Sequence, residues 1–97
     1  MTTASFRIVT MCTHNRTRSV LMACLLGEHL AHRRVGSLIE STGTRGGGHP
    51  PTAETVRLLR ERGVDVTDHR SSAIDGDLAE RAELIVTAER AHVMHVA

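Results

Sequence analysis

A cysteine and an arginine separated by five residues are the side chains of this sequence best suited to chemistry. Cys12 and Arg18 bracket the segment Thr13-His14-Asn15-Arg16-Thr17. A segment of that length can curl around one tetrahedral oxyanion, with its amide N–H groups turned toward the anion. The planar guanidinium of Arg18 can bind two oxygens of the anion at once. The same positive field favours the thiolate of Cys12, which is the nucleophilic form. The spacing therefore predicts an oxyanion site with a reactive cysteine.

The elements around this segment are a predicted strand before it, over residues 6–11, and a predicted helix after it, over residues 19–33. Later in the chain, the pattern predicts strands at about 37–41 and 84–88, helices at about 52–62 and from 89, and a short turn or helix at about 76–82. Strands that alternate with helices predict a parallel sheet with right-handed crossovers. The Cys12–Arg18 segment then lies at the carboxyl ends of the strands, where open α/β sheets bind ligands.

Three later segments follow the Cys12–Arg18 segment in the order and spacing of one known family. The first, residues 38–44, ends in Ser-Thr-Gly-Thr. The second, residues 58–65, contains a helix stop at Gly63 and is followed by Asp-His-Arg-Ser at 68–71. The third, residues 83–90, is Glu-Leu-Ile-Val-Thr-Ala-Glu-Arg. Together these segments resemble the low molecular weight protein tyrosine phosphatases, a family shared with a class of arsenate reductases. The resemblance implies a three-layer α/β fold, in which helices cover both faces of an open parallel sheet with the strand order 2-1-3-4.

The resemblance also implies roles for the residues of the segment. Cys12 is the expected nucleophile, which forms a cysteinyl-phosphate, and Ser19 is expected to hydrogen-bond the thiolate and help it leave again. The expected phosphate-binding residues are Thr13, His14, Asn15, Arg16, Thr17 and Arg18. Asn15 matches an asparagine that holds the loop in shape. Its expected partners are Ser41 and His69, which would form a supporting network around the site.

The sequence departs from the family pattern at several positions. His14 stands where the family usually has Gly, and Thr17 stands where it usually has a second Cys, so that an intraloop disulfide cannot form. The chain has one Phe and no Tyr or Trp. Few side chains could therefore stack on a phosphotyrosine ring, which leaves phosphotyrosine specificity open. The segment Gly46-Gly47-Gly48 is expected to be a flexible connector within the domain.

The Asp-Pro pair that supplies the general acid in the family does not occur in these 97 residues. In the family this pair follows a fourth strand. We therefore expect one domain over residues 1–97 that is incomplete at its C-terminus, as a fragment or as a natural short form. Without a fourth strand, the strand at 84–88 would be an unpaired edge. Such an edge is expected to leave the chain marginally stable or to promote self-association.

The residues are compatible with three functions. The leading prediction is a phosphomonoester hydrolase that acts on a phosphorylated protein or on a small phosphomonoester. The second is arsenate reduction on the same loop, which would need an external thiol because no cysteine follows Cys24. The third is a catalytically impaired oxyanion-binding or interaction module, which His14 and the missing Asp-Pro pair favour.

Composition limits the remaining possibilities. A net charge of +1 gives no electrostatic case for a nucleic-acid or membrane partner. Two cysteines, one in a reactive-looking loop and Cys24 within an apolar helix, indicate a reducing compartment, and we expect a cytoplasmic protein. No cofactor is expected. The pairs His29/His32 and His92/His95 have a spacing that could bind a metal, but we interpret them as solvated helix faces because no third ligand is evident.

Overall fold

The secondary structure alternates between strands and helices, as predicted. A computed structural model describes residues 6–96. Its elements are β1 (Phe6–Cys12), α1 (Arg18–His32), β2 (Ser37–Gly43), α2 (Ala53–Glu61), α3 (Gly76–Arg81), β3 (Leu84–Thr87) and α4 (Arg90–Val96). The segment expected to be a turn or a helix at about 76–82 is the helix α3. Its N-terminus is capped by Asp75, whose Oδ1 accepts a hydrogen bond from the Leu78 amide at 2.8 Å.

The three strands form one parallel sheet in the order β2-β1-β3. β1 lies in the centre and pairs with β2 from Phe6↔Ser37 to Cys12↔Gly43. Because β1 is covered on both faces and both edges, five consecutive residues, from Ile8 to Cys12, are buried. This arrangement confirms the expected parallel α/β fold and the first three positions of the expected strand order. It also places Cys12 at the carboxyl end of the central strand.

Helices lie on both faces of the sheet. On one face, the Thr10 hydroxyl donates to the Ser19 carbonyl oxygen in α1 at 2.8 Å, and Ile39 of β2 lies below Gly27 of the same helix. On the other face, Val9 of β1 shares a small cleft with Leu78 of α3. Since side chains alternate along a strand, consecutive residues of β1 serve the two faces in turn.

The ends of the helices have recognisable local signals. Pro50 and Pro51 precede α2, and the Thr52 side chain caps it by accepting from the Thr55 amide at 3.4 Å. At its other end, Gly63 has a φ of 79°, and the Val64 amide donates to the Leu59 carbonyl oxygen at 2.9 Å. These bonds are those of a Schellman motif, which glycine favours. The same motif ends α1, but there Arg34 takes the left-handed position with a φ of 60°.

The segment that links β2 to α2 is ordered, and the expectation of a flexible glycine connector is wrong. We call residues 44–49 the glycine segment. The Ser71 hydroxyl accepts from the amides of Gly47 (3.2 Å) and His49 (2.9 Å), and the Ser71 amide donates to the His49 carbonyl oxygen at 2.7 Å. A Cβ on Gly46 would lie 2.2 Å from the carbonyl carbon of Ser72. Gly46 therefore permits close packing of two backbones, and Gly48 takes a left-handed φ of 72°.

The outer edge of β3 has no strand partner within residues 6–96. Its first residue, Leu84, is 46% exposed, and α4 packs against this strand. No helix among the described residues has the length and apolar character required to span a bilayer.

Candidate active site

The loop between β1 and α1 opens onto a cavity of about 580 Å³ at the carboxyl end of the sheet. The residues that line this cavity come from the loop and from the segment between β2 and α2: Cys12, His14, Arg16, Thr17, Arg18, Arg45, Gly46, Gly47, His49 and Thr52. Five of them carry cationic or imidazole side chains and none carries a carboxylate. Such a cavity is suited to an anion.

The sulfur of Cys12 lies in a polar cage although the residue itself is only 3% exposed. The Asn15 amide donates to Sγ at 3.3 Å, and Ser19 Oγ lies 3.1 Å from it. Burial raises the pKa of the Cys12 thiol, but hydrogen bonds from Ser19 and Asn15, together with the charge of Arg18, outweigh it and leave this pKa below its ordinary value. The site therefore favours the thiolate.

A chain of hydrogen bonds fixes the direction of the Ser19 hydroxyl. The Ser72 amide donates to Asn15 Oδ1 at 2.9 Å, which orients the Asn15 side chain with its NH₂ group toward Ser19. Asn15 Nδ2 then donates to Ser19 Oγ at 2.8 Å. Because this bond uses an acceptor position of the hydroxyl, the Ser19 proton is free to point at the Cys12 sulfur.

Asn15 also shapes the backbone of the loop. It is fully buried and has a φ of 56°, a left-handed conformation that Asn tolerates better than most residues. His69 Nε2 lies 2.8 Å from the Asn15 carbonyl oxygen and donates to it. His69 thus contacts the loop at Asn15. Ser41, the other expected partner, lies in β2 opposite Thr10 and makes no side-chain hydrogen bond to Asn15, whose side chain binds Ser19 and Ser72.

The outer half of the loop is tied to the residues that precede α2. Arg16 Nε donates to the Pro50 carbonyl oxygen at 2.7 Å, and the Thr52 amide donates to the Arg16 carbonyl oxygen at 3.2 Å. The hydroxyls of Thr17 and Thr52 are 3.0 Å apart. Thr17 therefore holds the loop against α2, in a position where the family usually has a cysteine.

Arg18 lies at the mouth of the cavity and makes only weak contacts with protein. Its Nη1 is 3.8 Å from Glu89 Oε2, and both side chains are about half exposed. Its Nη2 is 3.5 Å from Thr13 Oγ1, at the limit of a hydrogen bond. An exposed ion pair of this length contributes little, so that an entering anion can replace Glu89 as the partner of the guanidinium.

The sequence prediction missed His92, which supports the loop from α4. Unlike a residue on a solvated helix face, His92 is 2% exposed, whereas His95 is exposed. The Glu89 amide donates to His92 Nδ1 at 3.2 Å, which leaves the proton of the neutral ring on Nε2. Nε2 lies 2.9 Å from Thr13 Oγ1 and 3.2 Å from Glu89 Oε1. Its position in the helix that follows β3, at the carboxyl edge of the sheet, was the signal that could have identified it.

The second cysteine lies apart from the cavity. Cys24 is within α1 and half-buried, and burial raises the pKa of its thiol. Its environment thus opposes the thiolate, whereas that of Cys12 favours it. Among residues 6–96, no three His, Cys, Asp or Glu side chains are grouped so that they could bind a metal ion.

Comparisons with known proteins agree with this geometry. The family model of low molecular weight phosphotyrosine protein phosphatases matches residues 7–97. A probable low molecular weight protein-tyrosine-phosphatase, EpsP of Ralstonia nicotianae, is 28% identical over 90 residues, which cover 92% of this chain and 59% of that protein. An arsenate reductase of Brevibacillus brevis is 34% identical over 79 residues, which cover 79% of this chain and 54% of that protein.

Solved structures give the same result for the fold. A mutant of YwlE from Bacillus subtilis superimposes with a TM-score of 0.89 at 24% identity, and the match covers 96% of this chain and 63% of that one. The chain thus spans between half and two thirds of the length of the proteins it matches. The family model covers nearly the whole chain, from the strand before Cys12 to the last residue. The chain belongs to the low molecular weight phosphotyrosine protein phosphatase family.

Proposed function

We propose that this chain carries the nucleophile and the phosphate-binding loop of a phosphomonoester hydrolase. The observation that carries the proposal is the cage around Cys12, where Ser19 and the Asn15 amide favour a thiolate at the floor of a cationic cavity. The phosphate is held by the amides of residues 13–18 and by the guanidinium of Arg18. Because the chain matches only part of the length of its relatives, the activity of the whole protein is part of the proposal.

In the first step, the Cys12 thiolate attacks phosphorus, so that an S–P bond forms while the P–O bond to the leaving group breaks. Charge on the three equatorial oxygens is stabilised by the loop amides and by Arg18. The backbone of the loop is already held in place by contacts with His69, Thr52 and His92. Little reorganisation is then needed when the phosphoryl group transfers.

In the second step, water attacks the cysteinyl-phosphate, so that a P–O bond forms, the S–P bond breaks and phosphate is released. The sulfur leaves as a thiolate, and the Ser19 hydroxyl stabilises it by donating a hydrogen bond. The Asn15 side chain acts through Ser19, since it accepts from Ser72 and donates to the serine oxygen. We describe Asn15 as a positioning residue for this reason.

The leaving group provides the test of the proposal. No carboxylate among the described residues lines the cavity, and no Asp-Pro pair occurs in the sequence, so that the carboxylic acid that would protonate the departing oxygen is missing from this cavity. A general acid is typically worth about 10²–10⁴-fold in rate. We therefore expect these residues to hydrolyse p-nitrophenyl phosphate and to hydrolyse phenyl or alkyl phosphates far more slowly, with Cys12→Ser as the inactive control.

The outcomes of that comparison separate the candidate functions. A rate that falls steeply as the pKa of the leaving group rises supports the hydrolase without an acid. A flat dependence would mean that another group supplies the proton, with His14 and His49, which line the cavity, the first to test. Phosphate binding without turnover of any ester would favour an oxyanion-binding module.

Arsenate reduction is a second candidate because relatives with about one third identity are named arsenate reductases. Arsenate is a tetrahedral oxyanion of similar shape and would bind the same loop. Cys24 lies within α1, outside the cavity residues, so that the reaction needs an external thiol to release the arsenic from Cys12. Arsenite production that depends on added glutathione and on Cys12 would support this function.

The proposal also covers the cellular compartment of the protein and its self-association. A reactive thiolate persists best in a reducing compartment, which we take to be the cytoplasm. The free edge of β3 and the exposed Leu84 are the surface through which we expect copies of this chain to associate. Sedimentation at increasing concentration, compared with a Leu84→Lys variant, tests that association.

A further inference from the structure

We propose that Arg45 and His49 form a subsite for a second anionic group on the substrate. The inference rests on the proposed function, because it concerns what lies beyond the phosphate on the Cys12 loop. It predicts that the preferred substrate is a phosphomonoester whose other part carries a carboxylate or a further phosphate close to the reacting group.

The first observation is a surplus of positive charge in the cavity. One phosphate dianion is matched by the loop amides and by Arg18, yet the cavity is also lined by Arg16, Arg45 and His49. Arg16 is partly occupied, since its Nε donates to the Pro50 carbonyl oxygen at 2.7 Å. The side chain of Arg45 makes no hydrogen bond or ion pair with any described residue, so that its guanidinium is free for a ligand.

The second observation is that the backbone that carries these side chains is fixed. Two residues beyond the Cys12↔Gly43 register, the Arg45 amide donates to the Thr13 carbonyl oxygen at 2.8 Å, which fixes Arg45 beside the phosphate loop. A Cβ on Gly43 would lie 2.6 Å from the carbonyl oxygens of both Thr13 and Arg45, so that only glycine allows this approach. Arg45 is thus bound to the same backbone that surrounds the phosphate.

His49 is fixed at the other end of the glycine segment. Its amide donates to Ser71 Oγ at 2.9 Å, and its carbonyl oxygen accepts from the Ser71 amide at 2.7 Å. The imidazole lies over Gly47, where a Cβ would come within 3.1 Å of Nε2. The glycine segment therefore presents the Arg45 guanidinium and the His49 imidazole, and both residues line the cavity that contains Cys12. Little backbone entropy is lost when an anion binds to groups carried on a backbone held in this way.

The third observation is the chemistry that the cavity lacks. Phe6 is the chain's one aromatic residue, and it begins β1, six residues before Cys12, at the opposite end of the strand from the loop. A strand of that length spans about 20 Å, so that Phe6 cannot stack on a substrate in the cavity. Selectivity of this cavity for one substrate over another must then come from charge and hydrogen bonds, which Arg45 and His49 provide.

The test compares two phosphonates that differ only in charge. Calorimetry measures the dissociation constants of 3-phosphonopropionate and of its neutral amide, 3-phosphonopropionamide, with the whole chain at low salt. We expect the carboxylate to bind about fivefold more tightly, the order expected of one exposed ion pair. In Arg45→Gln this ratio should fall toward one, and in His49→Gln it should fall in part.

Arg57→Gln is the matched control, because Arg57 is exposed on α2 and does not line the cavity. It should keep the fivefold ratio. Equal binding of carboxylate and amide by the parent protein, or a ratio that survives Arg45→Gln, would overturn the inference while leaving the phosphate site intact. Failure of the parent to bind either phosphonate would instead refute the proposed function, and the inference with it.

Phosphopeptides distinguish the two sources of such an anion. Peptides with Glu or Gln next to the phosphorylated residue are compared in the same assay. A preference for Glu that depends on Arg45 assigns an acidic protein substrate. A preference confined to the small phosphonates assigns a small molecule with two anionic groups.

Discussion

Replacing Ser19 by alanine tests the central feature of the site, the stabilised thiolate of Cys12. Ser19 is fully buried, and its hydroxyl lies 3.1 Å from Sγ. In the parent protein, burial raises the pKa of Cys12, whereas the hydrogen bonds from Ser19 and Asn15 and the charge of Arg18 lower it by more. Removal of the hydroxyl leaves the burial in place and takes away one of the groups that oppose it. The pKa of Cys12 must therefore rise.

The size of the rise follows from the energy of the lost hydrogen bond. A hydrogen bond to a charged group contributes about 1.5–3 kcal/mol. One pKa unit corresponds to about 1.4 kcal/mol, so that the pKa of Cys12 should rise by about one to two units. At any pH below both pKa values, the thiolate fraction and the rate of alkylation should then fall at least about tenfold.

The assay is the rate of alkylation by iodoacetamide between pH 4 and 10, with the modified cysteine located by mass spectrometry. Cys24 serves as an internal reference, because burial raises its pKa and it should react slowly in every variant. Ser37→Ala is the matched control, since Ser37 begins β2 at the far end of the sheet and should leave the profile of Cys12 unchanged. An unchanged profile in Ser19→Ala would refute the assignment of the hydroxyl as a donor to the thiolate. Faster labelling of Cys24 than of Cys12 in the parent would refute the site as a whole.

Three further predictions concern residues around the loop. Arg18→Lys should lose phosphate binding in calorimetry nearly as completely as Arg18→Ala, because an ammonium cannot supply the planar pair of donors; a Lys variant that binds like the parent would exclude Arg18 as the ligand. Arg34→Gly should raise the free energy of unfolding in urea by about 1 kcal/mol, because Arg34 has a left-handed φ of 60°, whereas Arg33→Gly, at a φ of −90°, should lower it. His92→Ala should lower the free energy of unfolding by about 2 kcal/mol and weaken phosphate binding, because His92 is buried against the loop. His95→Ala should do neither, because His95 is exposed.

The fold was predictable from the sequence because its signals are local. The alternation of strands and helices, the Pro50-Pro51 start of α2 and its stop at Gly63 each depend on a few neighbouring residues. The ends of α1 and α2 were each placed one residue too late, at 33 and 62 rather than at His32 and Glu61, whether the left-handed residue that follows is Arg34 or Gly63.

The part of the candidate site that could be predicted is the part that depends on the spacing of Cys12 and Arg18 and on the family resemblance. Both bring together Cys12, Arg18 and Ser19, and the resemblance placed His69 at the loop. The partner of the Asn15 side chain could not be identified in this way, since it is a backbone amide, that of Ser72, which no side-chain pattern reveals. His92 was misread because burial on a short helix depends on what packs against it. The role of Gly46 was missed because close approach and flexibility look alike in a sequence.

The contacts of the loop with α4 connect the chemistry of this protein to the order in which it folds. Thr13 and His92 are 79 positions apart in the chain, and Asn15 is 57 positions from Ser72. Contacts of such high sequence separation form only after the intervening chain has closed into a loop, which is entropically slow. A nascent chain that has formed β1 and α1 alone already contains the Ser19 and Asn15 donors, but it lacks the contacts with Ser72 and His92 that hold them in place. The rate of Cys12 labelling should therefore rise as these distant contacts form.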